Sequence, residues 1–338
     1  MAHVGRTDAG ASACRDRGPA RPALPARPAA PAPSQRLVQV ILGVLWVGDG
    51  LLQLQPPMFG RGFVTGTLLP AARANPAPVA GSISAMARFL EPHLALWNAL
   101  FAATQLAIGV GLLVPRTVRP ALAGSFAWSL LVWWFAEGLG GLLTGTASPL
   151  VGAPGAALLY VVVGLLAWPS AAPGGGPAER RRLGVSRERA ARAIWAGLWV
   201  GSAALAAQPA SLASGSVRSL LVAAAVGQPG WYATILTGAA RVLGPYGLPL
   251  TLAVIAEMAL VGVGVALGWH VPALLGVATV LALVIWVLPE GLGGILTGTG
   301  TDPNTGPLLA LVALSRSRSL PELQFSRLRA TAVPSMAA

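Results

Sequence analysis

The sequence predicts an all-α, polytopic membrane protein of about eight transmembrane helices in two parallel four-helix repeats, with both termini cytoplasmic. Three observations predict it: an apolar and charge-poor composition, a series of hydrophobic runs near membrane length, and an acidic, glycine-rich decamer that occurs twice. Of the 338 residues, 54% are hydrophobic and only 10% charged, with a mean hydropathy of +0.67. A soluble domain carries roughly 25% charged residues. The formal net charge is +12, and all 23 basic residues are Arg. Clustered arginine on a soluble domain points to nucleic acid. Here the arginines sit in tails and short loops between apolar runs, so membrane topology accounts for them and no nucleic-acid partner is expected.

Residues 1–35 are rich in Ala, Pro and Arg without apolar periodicity, and read as a disordered tail. Apolar runs follow at 37–55, 93–114, 119–136 and 151–168, each near the ~20 residues that a ~30 Å hydrocarbon core asks of a helix. They make up a first membrane repeat, 36–168. Residues 169–189, PSAAPGGGPAERRRLGVSRER, read as a cytoplasmic linker. A second repeat, 190–315, carries runs at 192–207, 247–267, 271–289 and 303–315, and residues 316–338 form a second cytoplasmic tail. The last run meets Arg316 and Arg318 early, and both are expected to snorkel to the inner headgroups. Segments 57–88 and 210–241 each separate the first and second runs of a repeat; the stretches SVRSLLVAAAVG and WYATILTGAARVL are too short to cross and apolar enough to lie at the outer interface or fold back, as a lid over the decamers.

Sliding the chain by 153 residues superposes Arg36 on Arg189, Trp46 on Trp199, Pro92 on Pro245, Gly109 on Gly262, Trp133 on Trp286 and Glu137 on Glu290. A constant offset marks an internal repeat. Four spans per copy is an even number, so both copies enter the membrane from one side and the repeat is parallel rather than inverted. With the amino terminus inside, the segments 1–36, 115–120, 169–192 and 316–338 hold 6, 2, 6 and 4 of the 23 Arg. That excess places both termini in the cytoplasm and the protein in the cell membrane as a multi-pass chain.

The two decamers, EGLGGLLTGT at 137–146 and EGLGGILTGT at 290–299, then fall at the outer face. Gly138, Gly140 and Gly141, with Gly291, Gly293 and Gly294, allow the helix to unwind there. Thr144 and Thr297 are placed to bond the backbone groups so freed. A carboxylate in a membrane span is costly, which singles out Asp49, Glu137, Glu257 and Glu290. Only Glu137 and Glu290 match across the repeat. Two readings stay open for them: facing each other as proton acceptors or ligands for a polar or cationic group, or each accepting N–H bonds where its own helix breaks. Asp302 before Pro303 reads as the N-cap of the last span.

Metal and redox options are few. Cys14 is the only cysteine, which excludes an intrachain disulfide, a CxxC pair and a thiolate cluster. His3, His93 and His270 share no depth for haem ligation, and no zinc spacing or nucleophile with a companion base occurs, so no metal is expected. Trp128, Trp133, Trp134 and Trp286 lie deep in their runs, either lining a pocket or packing.

Each half resembles the DoxX-like four-helix membrane family. The likeness lies in GVLWVGDGLLQL, the long outer segment after the first run, TQLAIGVGLLVPRTVRPAL with its short basic turn, and the closing WWFAEGLGG. It covers 36–168 and again 189–315. The resemblance implies a membrane subunit of a redox or stress complex that is not an enzyme on its own, with a redox partner protein beside the lipid bilayer. It is also the sole pointer to a cofactor, a quinone; the residues themselves indicate none. This chain departs from the family in being a fused tandem without the cysteines of a thiol relay. The alternatives are a small-solute or proton-coupled transporter, or a non-catalytic scaffold, on the same carboxylates and broken helices.

Overall fold

In a computed structural model the described residues are 33–169 and 177–317, and they are helical throughout with no strand among them. The expected tail up to residue 32, the glycine-rich start of the linker and everything beyond 317, Arg318 included, lie outside the described residues. In chain order the longer helices are α1 (Pro33–Leu52), α2 (Ala77–Leu90), α3 (Leu94–Leu113), α4 (Val118–Phe135), α5 (Ala156–Leu166) and α6 (Pro177–Ala206). They continue as α7 (Ser216–Ala224), α8 (Gly230–Leu243), α9 (Gly247–Leu267), α10 (Val271–Val287) and α11 (305–317). Local chemistry sets their ends. α3 stops at Val114, whose backbone turns extended before Pro115. α9 stops at Gly268 in the left-handed region, its N–H returning to Gly264 O and Val265 O.

Among the described residues, four helical stretches are long and apolar enough to cross a membrane: Gln35–Leu52, Ala77–Leu113, Gly230–Leu267 and Val271–Thr297. The chain is a helical membrane protein. The second stretch joins α2 to α3, and the third α8 to α9, through the single turns Glu91–His93 and Gly244–Tyr246. Segments 57–88 and 210–241 therefore run helically into the helix that follows rather than lying apart from it. Three further departures from the sequence reading have physical causes. The linker is helical from Pro177, and its boundary at 189 falls inside α6, because AERRRLGVSRERAARA holds no helix breaker other than Gly184. α5 is only 11 residues, about 16 Å at 1.5 Å per residue, where the sequence predicts a span over 151–168; Gly152 and Gly155, at φ 94 and 109°, hold the chain outside helical geometry until Ala156. Arg316 does not reach toward headgroups. It is 4% exposed and its guanidinium pairs with Glu188 through two bonds of 3.0 and 3.1 Å.

Both halves of the chain share one core. Leu42, Trp46, Leu112, Leu159, Trp195, Trp199, Met258 and Leu308 are buried in a single cluster, so α5 and α11 are sealed among longer helices. α1 lies on α3 at van der Waals distance because Gly109 has no side chain; a Cβ there would stand 2.7 Å from Val47 N. A second cluster, around Met58, Phe63, Leu68, Ile83 and Leu90, sits under the first outer segment and rests on Phe101 and Phe135. α5 itself is tied at both ends: Ala157 N donates to Glu137 Oε1 at 2.9 Å, and Gln39 Nε2 donates to Ala167 O at 2.9 Å. A short buried helix needs such partners for its terminal N–H and C=O groups.

Candidate functional site

The site grows out of the decamers. After α4 and α10, four consecutive residues adopt positive φ: Gly138, Leu139, Gly140 and Gly141 at 55, 59, 62 and 69°, and Gly291, Leu292, Gly293 and Gly294 at 57, 57, 67 and 69°. The chain thus makes one left-handed turn, which L-residues other than glycine resist by about 1–2 kcal/mol each. Gly138 and Gly291 meet a second demand. The outer segment crosses them so closely that a Cβ would meet Ala71 O and Asn75 Nδ2 in one case, and Gln228 Nε2 and Ala224 O in the other. The same contact is a bond: Asn75 Nδ2 donates to Gly138 O at 3.2 Å, and Gln228 Nε2 to Gly291 O at 2.9 Å. Thr144 Oγ1 and Thr297 Oγ1 donate to Gly141 O and Gly294 O, at 2.7 and 2.6 Å.

The left-handed turn leaves each glutamate beside the short helix that follows it. Glu137 Oε1 accepts Ala157 N, at the start of α5, and its Oε2 is buried with no hydrogen-bond partner. Glu290 is 8% exposed; its Oε1 accepts from Thr305 Oγ1 and its Oε2 from Gly306 N at 3.2 Å, at the start of α11. Each carboxylate caps the next helix instead of its own broken one. Asp302 is accordingly not the N-cap of the last helix. Its Oδ1 accepts Asn304 N at 2.7 Å and its Oδ2 accepts Thr301 Oγ1 at 3.0 Å, and α11 begins after the left-handed Asn304. Burial pushes the Asp302 carboxyl above its ordinary range, against the pull of those two bonds.

Asp49 is 3% exposed on α1 and accepts a hydrogen bond from Tyr160 OH of α5, while its Oδ1 has no partner. Tyr160 in turn lies against Trp46, with ring centroids 4.5 Å apart, and Trp46 Nε1 donates to Ser125 Oγ at 3.1 Å. Trp46, Asp49 and Tyr160 line a cavity of about 250 Å³. Its walls are aromatic and aliphatic, Phe63, Phe89, Trp97, Phe101, Trp128 and Phe135 among them, and Asp49, Glu137 and Asp302 all line it. Gln105 Oε1 and Trp128 Nε1 are also buried at its wall without partners. A second cavity, of about 520 Å³, lies on the far side of Glu137 and Asp302, lined by Thr144, Thr146, Thr297, Thr299, Asn304 and backbone of the left-handed turns. Glu137 and Asp302 belong to both walls.

The structure thus brings Asp49 and Glu137 to one cavity, and Glu137, Thr144 and Thr297 to the other, with Gly140, Gly141, Gly293 and Gly294. Glu290 lines neither, being closed off by Thr305 and Gly306. Glu257 lines neither and sits half-buried on α9. Trp133 donates to Pro154 O at 2.8 Å, which holds the loop before α5, Trp134 donates to Ser82 Oγ at 2.9 Å, which ties α4 to α2, and Trp286 packs on Gly306. Among the described residues no group of three His, Cys, Asp or Glu side chains is placed to hold a metal ion.

Tyr160, Gln105, Gln53 and Asn98 escaped the sequence reading. Gln53 Nε2 donates to Asn98 Oδ1, and Asn98 Nδ2 to Gln53 O at 2.8 Å, fixing α1 to α3 beside the cavity. The signal that marks them is a difference between the copies: at the 153-residue offset Asp49, Gln53, Asn98, Gln105 and Trp128 face Ser202, Ala206, Thr251, Met258 and Leu281. Comparison with family models, with curated proteins and with solved structures returns no match for this chain.

Proposed function

We propose that the chain is a DoxX-like accessory, substrate-handling subunit of a membrane redox or stress complex. In this reading it has eight membrane helices in two tandem parallel units, both termini lie on the cytoplasmic side of the cell membrane, and the decamers lie at the outer face. One observation carries it: an aromatic cavity of about 250 Å³ lined by Asp49 and Glu137, each of which keeps one buried carboxylate oxygen without a hydrogen-bond partner. Buried polar atoms are normally satisfied, and concave apolar pockets with a few convergent polar groups take small molecules. Phe89 and Leu131 at its wall are 60 and 52% exposed, so a lipid-soluble substrate has a way in from the bilayer. Redox chemistry would come from the partner protein.

Isolation of the full chain in native-lipid nanodiscs, followed by mass spectrometry of bound proteins and small molecules, tests this. A bound lipid-soluble molecule and a redox partner, both lost in Asp49→Asn with Glu137→Gln, is the expected result; a chain that carries neither counts against it. Labelling of Cys14 by a membrane-impermeant maleimide only after permeabilisation is the result expected of a cytoplasmic amino terminus. A proton-coupled transporter is the second reading, favoured by the sharing of Glu137 and Asp302 between the two cavities. Solute uptake into proteoliposomes driven by a proton gradient, abolished by Glu137→Gln, would decide for it.

A further inference from the structure

We infer that the occupant of the aromatic cavity is a small lipophilic amine in its protonated form, an inference that rests on the substrate-handling reading of that cavity. The argument is a count of charges and hydrogen-bond groups along its wall. Three carboxylates line it, those of Asp49, Glu137 and Asp302, and none of the residues lining it is basic. Of the buried polar atoms at the wall without partners, three are acceptors, Asp49 Oδ1, Glu137 Oε2 and Gln105 Oε1, and one is a donor, Trp128 Nε1. With the Gln105 amide turned over, two carboxylate oxygens stand against two N–H donors, so charge and not the hydrogen-bond count decides: three acidic side chains line the space and no basic one does. An occupant that answers this one-sided charge is a cation. An alkylammonium supplies three N–H donors, no acceptor and one positive charge, whereas a hydroxyl brings a single donor and two lone pairs of its own.

The rest of the wall agrees with that headgroup. Trp46, Trp97, Trp128, Phe101 and Tyr160 surround the space, and aromatic faces attract a cation within about 6 Å, more so where water is excluded. The acidic groups are not gathered tightly enough for a metal ion, so the positive charge has to come with an organic body that spans between them. The volume, about 250 Å³, falls just under the ~300 Å³ at which pockets for drug-sized ligands begin, which selects a compact molecule of one ring or a short chain.

The test uses the full chain in nanodiscs and two probes of matched shape, radiolabelled phenylbutylamine and phenylbutanol, in equilibrium dialysis against empty nanodiscs. Saturable binding of the amine, about tenfold tighter than the alcohol and weakened about tenfold by Asp49→Asn or Glu137→Gln, is expected. Leu131→Trp, at the exposed edge of the wall, should block it and Glu257→Gln should leave it unchanged. Each variant is compared at equal yield of monodisperse protein, and Asp49→Asn keeps an acceptor for Tyr160. If the alcohol binds as tightly as the amine and the carboxylate variants change nothing, the amine assignment is overturned while the cavity remains a binding site. If neither probe saturates above empty nanodiscs, the substrate-handling reading falls with it. Amine binding that survives Leu131→Trp also overturns the inference, because the site is then elsewhere.

Discussion

Glu137 and Glu290 each follow a right-handed helix, precede the same left-handed turn and cap a short buried helix, yet they end in different states. Glu290 has both oxygens engaged, by Thr305 Oγ1 and Gly306 N, and is shut inside the core. Glu137 spends one oxygen on Ala157 N and leaves the other at a cavity. Loop length and composition explain the difference. The capped N–H lies 20 residues beyond Glu137 but 16 beyond Glu290, and the residue just before it is Thr305, with a hydroxyl to donate, in the shorter loop and Ala156 in the longer one. Around Glu137 the surrounding helices supply Asp49, Gln105 and Trp128; at the offset positions the second half supplies Ser202, Met258 and Leu281. Two copies of one turn have been put to different uses, a strut in one half and the wall of a cavity in the other.

The strongest way to break this comparison is to attack what the two turns share. Gly138→Ala and Gly291→Ala should each cost about 3 kcal/mol or more, combining the positive-φ penalty with a clash against the outer segment, read as loss of the cooperative thermal transition. Gly141→Ala, whose nearest neighbour to an added Cβ is 3.7 Å away, should cost only about 1 kcal/mol. The next largest effect separates the copies. Glu290→Gln should lower stability by about 2 kcal/mol, because one of its two bonds loses its acceptor, while Glu137→Gln should lower it by about 1 kcal/mol. Equal losses in thermal melts would erase the asymmetry.

Asn75→Ala and Gln228→Ala sharpen it from the other side. Asn75→Ala removes two side-chain bonds, to Ala71 O and Gly138 O, and Gln228→Ala one, to Gly291 O, so about 2 and about 1 kcal/mol are expected in thermal melts. The smallest effect lies at the inner ends. There Arg36 donates to Leu112 O at 2.8 Å in the first half, and Glu188 binds Arg316 and Arg192 in the second. Burial works against the Glu188 carboxylate, but the two guanidinium groups outweigh it and hold its pKa below the ordinary 4.5. A carboxyl lowered on folding adds stability above its unfolded pKa and loses it as pH falls through the folded one. The α6–α11 contact should therefore be unaffected at neutral pH and weaken in a titration below about pH 4.5, a dependence that Glu188→Gln abolishes.

Periodicity and punctuation made much of the fold legible. The run at 247–267 coincides with α9, and α3 and α10 end within two residues of the runs that predict them, because Pro and Gly stand at their ends. The site was only half legible. Matching at the 153-residue offset draws attention to Glu137 and Glu290, whose common role is to cap a helix, whereas Asp49, Gln105 and Trp128, the other polar groups of the cavity wall, stand where the two halves differ. Tyr160 and Asp49 lie 111 residues apart, and nothing in either neighbourhood announces the other. Arg316 was misread for a related reason: an arginine near a span end has a local route to headgroups, and only the fold reveals that Glu188, 128 residues away, is nearer.

Gly-Leu-Gly-Gly carries one further consequence, and it concerns mirror symmetry. A turn of this hand is the reflection of an ordinary helical turn, and three of its four residues are achiral, so they read the same in either enantiomer. Leu139 and Leu292, at φ 59 and 57°, are the chiral exceptions and sit in the region natural for the opposite configuration. A semisynthetic chain with D-leucine at either position should be more stable than the natural protein, by about 1 kcal/mol. The same change one helix earlier would break it. In this membrane protein, two short stretches of backbone are written in the other hand.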